Sequence, residues 1–597
     1  MKRRPLAFSL IVAAQLTLAG LSFGADDDVQ TVVVAGQKDA SEWLRVESPH
    51  FRVVSNAGRD AVARLVTNLE RLDYVLRIYT EPYLKKNAGI HKIDLSYYAR
   101  EGDLKRAFPD LPDEGIGLYR SCAGGVQGFG VNVEAPVEAS GQELVKGPLG
   151  DSQSYLFEAY SRHFLYRYTT IRAPASFVEG FAQYFSSVRF SETQMVVGRM
   201  PPSVARYLRF LDDGNRYSLT YADVLDGNLA SSTNVAGAAG NQLEFAARSW
   251  VLTHYMLSSV PNRQRMMRYL DLTAHGTPPA RALDASFGLA PDALGTTMWR
   301  YGRSQVEVLQ VDAPVLPRAG MTFVSLPRST GLFVLADAVL RACPGRARGA
   351  TVLQALERET PQFPDSAFAQ LALSRARIDW GDPQAALPAL AKISAHNDEN
   401  VEAHALTGLA NLRLAQRADG AARAAWLDAA ARSLARADAL DPLAPDVTLA
   451  LFTTDVLRGR APDAQRRAAV SAAWAGAREV DALARAAFFA AVYDGDGEKA
   501  AAVLRVLTNN ARSPQTAAWA AGWKQRLDAG VSTADLGPAV ARDLRDDAPF
   551  DEWTIANANV MQRVEYNAGI EKAQRIIDMQ VQNPDPSKAL MSPPSKR

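Results

Sequence analysis

Residues Tyr155 to Ser187 read YLFEAYSRHFLYRYTTIRAPASFVEGFAQYFSS, and their layout decides the fold of the N-terminal half. The aromatic-rich run to Tyr168 predicts a helix. Pro174 marks a short turn, because proline interrupts a helix interior but suits a helix start. The run from Ala175 to Ser187 predicts a second helix carrying the pair Glu179-Gly180. On the first helix Glu158 and Arg162 stand at i and i+4, on one face.

Upstream, residues 42–56 alternate and are rich in valine and aromatics, which predicts strand–turn–strand. Val62, Leu65, Val66, Leu69, Leu72, Val75 and Leu76 fall at the spacing of an amphipathic helix over 60–79. Ile93 to Tyr98 predicts a strand. Residues 107–149 are rich in glycine and proline, with strands expected around Ile116–Tyr119 and Gly128–Val133. Downstream, 186–303 turns helical. The nearly apolar run Phe245–Ser258 predicts a buried helix, and further helices are expected over 263–273 and, as a pair, 279–301. His254 reads as a core or hydrogen-bonded histidine, because no second ligand type stands at i+3 or i+4.

Beyond about Asp312 the texture becomes rich in Ala, Leu and Arg. Gly381-Asp382 is followed by Ala386, Gly408 by Asp441-Pro442, and Gly495-Asp496 by Ala500. Small residues at these places let antiparallel helices approach closely. The pattern resembles the tetratricopeptide repeat, with about ten extra residues before Pro442. The resemblance implies stacked helical hairpins with a concave face that binds a protein or peptide. The alternative is an array that packs only on its own N-terminal half. A last amphipathic helix is expected over 552–579, before a tail rich in Pro, Ser and Lys.

The N-terminus has the parts of a secretory signal: basic Lys2-Arg3-Arg4, an apolar Leu6–Leu18, and Ser22-Phe23-Gly24 before Ala25. Export, to a periplasm in a Gram-negative cell, and a soluble mature chain without a transmembrane anchor are the expectation. The formal net charge is +1, and losing those three basic residues takes it to −2. Neither value points to nucleic acid or an anionic membrane as partner. In an oxidising compartment Cys122 and Cys343 could pair, bridging the two halves, or stay as two buried or free thiols. No metal-binding cysteine spacing occurs. The glycine-rich run 124–130 lacks the lysine and strand–loop–helix context of a phosphate loop and reads as a turn or loop. No G-x-S-x-G elbow is present.

Val178-Glu179-Gly180-Phe181-Ala182-Gln183-Tyr184-Phe185 resembles the second helix of the peptidase-like gluzincins, and the likeness extends over about 41–303. The resemblance implies an α+β zinc-peptidase fold whose first helix carries His-Glu-x-x-His. Here Glu158 stands at the first histidine, Ala159 at the general base and Arg162 at the second histidine, so only Glu179 matches a family ligand. Alanine moves no proton, and arginine stays charged with no lone pair for a metal. His163, at i+5 from Glu158, lies some 140° around the helix and reads as a structural or surface residue.

Two readings follow. In the first, the catalytic set is absent, no metal or cofactor is expected, and Arg162 replaces the zinc charge between Glu158 and Glu179. The chain is then an exported pseudo-metallopeptidase with a binding or scaffold role in the cell envelope. In the second, a hydrolase uses replaced ligands, joining Glu158 and Glu179 to a remote His50, His91 or His254.

The expected organisation is a signal peptide over 1–24, a flexible segment over 25–41 and an α+β peptidase-like domain over 42–185. A helical subdomain follows over 186–303, then a linker over 304–330 and tetratricopeptide-like repeats over 331–530. A C-terminal helical segment over 531–582 and a disordered tail over 583–597 complete it.

Overall fold

The computed structural model describes residues 40–546 with breaks at 87–91, 112–114, 133–152, 202–203, 205–206, 208–218, 229–236, 304–307, 313–314, 328–329, 443, 478–479, 509–513 and 532–535, together with 33–34 and 561–562. The signal peptide, His91 and the tail lie outside the described residues, as does all but Met561–Gln562 of the helix expected over 552–579.

The N-terminal half is built on an eight-stranded sheet. In chain order its strands are β1 (Val33–Val34), β2 (Ala40–Glu47), β3 (Phe51–Ser55), β4 (Ile93–Tyr98), β5 (Gly115–Cys122) and β6 (Gly125–Val131). β7 (Arg189–Phe190), β8 (Gln194–Val197) and β9 (Leu309–Asp312) form a separate small sheet, while β10 (Thr322–Pro327) and β11 (Met561–Gln562) complete the large one. The order is β1-β10-β2-β3-β4-β6-β5-β11. β3, β4 and β6 run parallel, whereas β2–β3 and β5–β6 are antiparallel neighbours.

Helices α1 (Arg59–Thr80), α2 (Glu101–Ala107), α3 (Gln153–Tyr168) and α4 (Ala175–Ser186) belong to this half, followed by α5 (Tyr221–Asp226), α6 (Gly237–Leu257), α7 (Val260–Ala274), α8 (Pro279–Phe287) and α9 (Pro291–Arg303). One face of the sheet packs through Val53, Leu95 and Val126 on α1 and α3, with α4 behind α3. Successive strand side chains point to opposite faces, so Tyr98, Leu118, Phe129 and Val131 face the other way. They bury against Phe333, Val339, Leu353 and Leu373 of the helical array.

That array comprises α10 (Thr330–Arg341), α11 (Arg346–Glu359), α12 (Ala367–Trp380), α13 (Leu387–His396), α14 (Val401–Arg417), α15 (Gly420–Leu440), α16 (Pro445–Leu457), α17 (Ala464–Gly476), α18 (Asp481–Asp494), α19 (Gly497–Thr508), α20 (Pro514–Asp528) and α21 (Gly537–Asp546). From α12 to α19 the helices pack as successive hairpins. Gly408 permits the close crossing of α14 and α15, since a Cβ there would collide with Leu434. The residues inserted before Pro442 lengthen α15 to 21 residues rather than forming a loop. No helix of the described residues is long and apolar enough to cross a membrane.

Three expectations about organisation change. The segment 304–330 is not a linker: β9 pairs with β8, and β10 enters the sheet between β1 and β2. The alternating Thr322-Phe-Val-Ser-Leu-Pro run had strand character but was obscured by the change in composition beside it. Within 25–41, β1 and the start of β2 are already in the sheet. In the C-terminal segment, Met561–Gln562 pairs with β5 as a strand instead of continuing a helix.

The two halves meet over a wide joint. α10 rests on α2, β2 and β10, and α17 rests on α3. Arg348 donates to the carbonyls of Arg106 and Ala107, and Arg167 pairs with Asp441. The sulfurs of Cys122 and Cys343 lie in bonding contact with their Cα atoms 6.3 Å apart.

Candidate functional site

α3 is buried along nearly its whole length, between the sheet and α4. Gly128 of β6 allows this, because a Cβ there would press on Leu95, Leu156 and Ala159. The run 124–130, expected as a turn or loop, is therefore mostly strand, with only its first residue in the turn. α4 crosses α6 equally closely. A Cβ on Gly180 would collide with Thr253 Oγ1 and the Ser249 carbonyl, which gives the Glu179-Gly180 pair a packing reason independent of chemistry.

Between α3 and α4 the structure brings Glu158, Arg162 and Glu179 together. An Arg162 guanidinium nitrogen, Nη2, donates to Glu158 Oε1 at 3.0 Å and to Glu179 Oε2 at 2.7 Å. Gln183, one turn beyond Glu179, donates from Nε2 to Glu158 Oε1 at 2.9 Å and to Glu179 Oε1 at 3.0 Å. Tyr119 of β5 lies beneath the guanidinium, 4.6 Å from ring centre to Cζ, and hydrogen-bonds Glu158. All four helical residues are at most 4% exposed. Burial pushes the Glu158 carboxyl up to about 7. Arg162 opposes that shift and the neighbouring Glu179 charge adds to it.

The residues do not fit a zinc ion. Arg162 fills the position between the carboxylates and offers only donors. Each carboxylate already accepts from Arg162 and Gln183, and Ala159 packs toward β6 instead of facing the cluster as a base. What the arrangement does chemically is hold a cation between two carboxyl groups in a low-dielectric space.

The histidines belong elsewhere. His163 is 8% exposed, stacked on Tyr160 and edge-on to Tyr168, so it is interior and not a surface residue. His254 lies between Tyr301 Oη at 2.6 Å and the Gly198 carbonyl at 3.1 Å. The carbonyl only accepts, so Nε2 carries the proton and Nδ1 accepts from the tyrosine. Burial pushes His254 down to about 4, keeping the ring neutral.

His50, Glu70 and Asp73 bring three potential ligand atoms within 4.8 Å of one another. This group too is already held by an arginine. Arg77 donates to both Asp73 oxygens, at 2.7 and 3.0 Å, and its Nη2 lies 3.1 Å from His50 Nε2. His50 Nδ1 lies 2.7 Å from Glu70 Oε2, and Tyr160 donates to Asp73 at 2.6 Å.

Sequence reasoning missed Gln183 and Tyr119. Gln183 was findable, at i+4 from Glu179 on the same helical face. Tyr119 reaches the site only through the strand order, for which the local sequence carries no signal.

No family model and no curated protein matches the chain. Among solved structures it is similar to that of a thermophilic TPR protein in Thermus thermophilus, at 16% identity, covering 33% of this chain and 99% of that one. The TM-score is 0.29, and at that level the likeness carries no argument about function.

Proposed function

We propose that the chain is an exported pseudo-metallopeptidase, non-catalytic, whose helical array engages a protein or peptide partner. The observation that carries the non-catalytic reading is the Arg162 guanidinium bridging Glu158 and Glu179, where the gluzincin resemblance would place a metal. A permanently charged, donor-only group supplies neither a ligand nor a base. The gluzincin likeness, the signal-like N-terminus and the contact of Cys122 with Cys343, suited to an oxidising compartment, support export. The hairpin array supports partner binding, because stacked helical repeats present an extended curved surface. The alternative of a hydrolase with replaced ligands draws no support from His50, whose ring nitrogens are already engaged by Glu70 and Arg77.

The test is elemental analysis of the purified full chain together with an assay on an unfolded protein substrate. Zinc well below one equivalent and no hydrolysis are expected. One zinc per chain with chelator-sensitive hydrolysis would overturn the non-catalytic reading.

A further inference from the structure

The array has two layers. α12, α14, α16 and α18 touch one another in succession, while α13, α15, α17 and α19 approach each other less. The layer whose members are closer lies on the inside of the curve, so α14, α16 and α18 form the inner face. This face is already occupied. α21 (Gly537–Asp546) crosses α14, α16 and α18, and together with Leu536 it seats three apolar residues one turn apart: Leu536, Val540 and Leu544 are 3%, 0% and 6% exposed. They belong to the same core cluster as Phe452, Val456, Phe488 and Trp523. Pro538, Arg542 and Asp546, on the other side of the helix, are exposed.

Polar ties fix its register. Trp519 Nε1 donates to Asp543 at 2.8 Å, Arg545 donates to Asp419 at 2.8 Å, and Gln416 Nε2 donates to the Leu544 carbonyl at 2.8 Å. That last bond satisfies a carbonyl in the final turn of α21, which has no partner within its own helix. The inner face thus supplies apolar contacts and, from Gln416 of α14, a terminal helix cap, while its borders supply a donor for an acidic side chain (Trp519 of α20) and an acceptor for a basic one (Asp419, just before α15). These are the elements of a site that recognises a short amphipathic helix.

We infer that the inner face is a helix-binding groove closed by the chain's own α21. Its external partner is an amphipathic helix with apolar residues at i, i+4 and i+8, an acidic residue just before the third and a basic one just after it. The inference rests on the partner-binding reading above and adds that α21 must leave first. A tethered helix holding its groove about 99% of the time weakens an external competitor by roughly 100-fold, since only the open fraction binds.

The probe is a fluorescent synthetic peptide of residues 531–548, titrated by anisotropy into the full chain and into the full-length variant Val540→Glu/Leu544→Glu. Binding to the variant at least about tenfold tighter than to the wild type is expected. Equal affinity for both, or no binding to a variant that keeps its helical circular dichroism and cooperative melt, overturns the inference. Should that variant not fold, Asp543→Ala/Arg545→Ala loosens only the polar ties, and a gain of about threefold is the expected result. No gain overturns the inference. The substrate assay run on the same samples separates the two readings: zinc-dependent hydrolysis with a closed groove sinks only the non-catalytic function, whereas an inert protein that never binds the peptide sinks only the groove.

Discussion

Between α3 and α4 one guanidinium serves two carboxylates, whereas at the joint between sheet and array Glu402 accepts from two guanidinia. Arg341 and Arg375 reach it at 2.7 and 2.6 Å, with Asp337 also bound to Arg341 at 2.6 Å. Burial pushes both glutamates up, and the cation count decides the outcome. Glu158 rises to about 7, while Arg341 and Arg375 outweigh burial and hold Glu402 at about 2. A buried carboxylate near an arginine is therefore not one kind of object. The local ratio of charges sets whether ionisation is resisted or enforced.

Removing the shared cation between Glu158 and Glu179 is expected to cost the most. Arg162→Met keeps much of the volume but strands two carboxylates that are 5% exposed. A loss of about 3–5 kcal/mol in urea unfolding is expected, the usual cost of breaking a buried ion pair from one side. Adding Glu158→Gln and Glu179→Gln should recover most of it, because no uncompensated charge then remains. A loss below about 1 kcal/mol for Arg162→Met would place the cluster with ordinary surface pairs.

At the joint the corresponding change is Glu402→Gln, which leaves Arg341 and Arg375 facing each other with Asp337 as partner. The side chain of Glu402 is 27% exposed, and water moderates the cost to about 2 kcal/mol, in the range for a hydrogen bond to a charged group. Its carboxyl is held below the unfolded value of 4.5. The stabilisation is therefore present above about pH 4.5 and lost as pH falls toward 2. Urea unfolding from about pH 6 down to about pH 3 should show the wild type losing an advantage that the variant never had. Parallel curves would mean that Arg341 and Arg375 do not control Glu402.

How much of this was legible depends on sequence distance. Glu158 and Arg162 are one turn apart, so helical phase pairs them, and the gluzincin resemblance is what brings Glu179 of the next helix to the same point. The amphipathic α1 was legible from helical phase as well. Glu402 meets Arg341 from 61 residues away, and β10 joins its partner β2 across most of the N-terminal half. These pairings are set by strand order and by how the array folds back, which local periodicity does not encode. The inner-face helix α21 has a readable apolar spacing at 536, 540 and 544. Its seat does not, because that is assembled from three hairpins.

Near neutral pH the mildest change is expected at Glu158, and there the pH profile discriminates most. Glu158→Gln removes one of the two carboxylates that Arg162 serves and leaves a one-to-one pair with Glu179. At about pH 7 the wild-type carboxyl is already close to half protonated, so the change should alter stability by less than about 1 kcal/mol. The pH profile carries the signal. A carboxyl raised from 4.5 to about 7 on folding contributes stability that is complete below pH 4.5 and disappears as pH rises through 7. The difference between wild type and variant should therefore shift in the variant's favour across that window, by about 3 kcal/mol at most. This is the opposite slope to that at Glu402. Should Glu158→Gln instead lose its relative stability as pH rises, the carboxyl would be ionised when folded, and Arg162 alone would be outweighing both burial and the charge of Glu179.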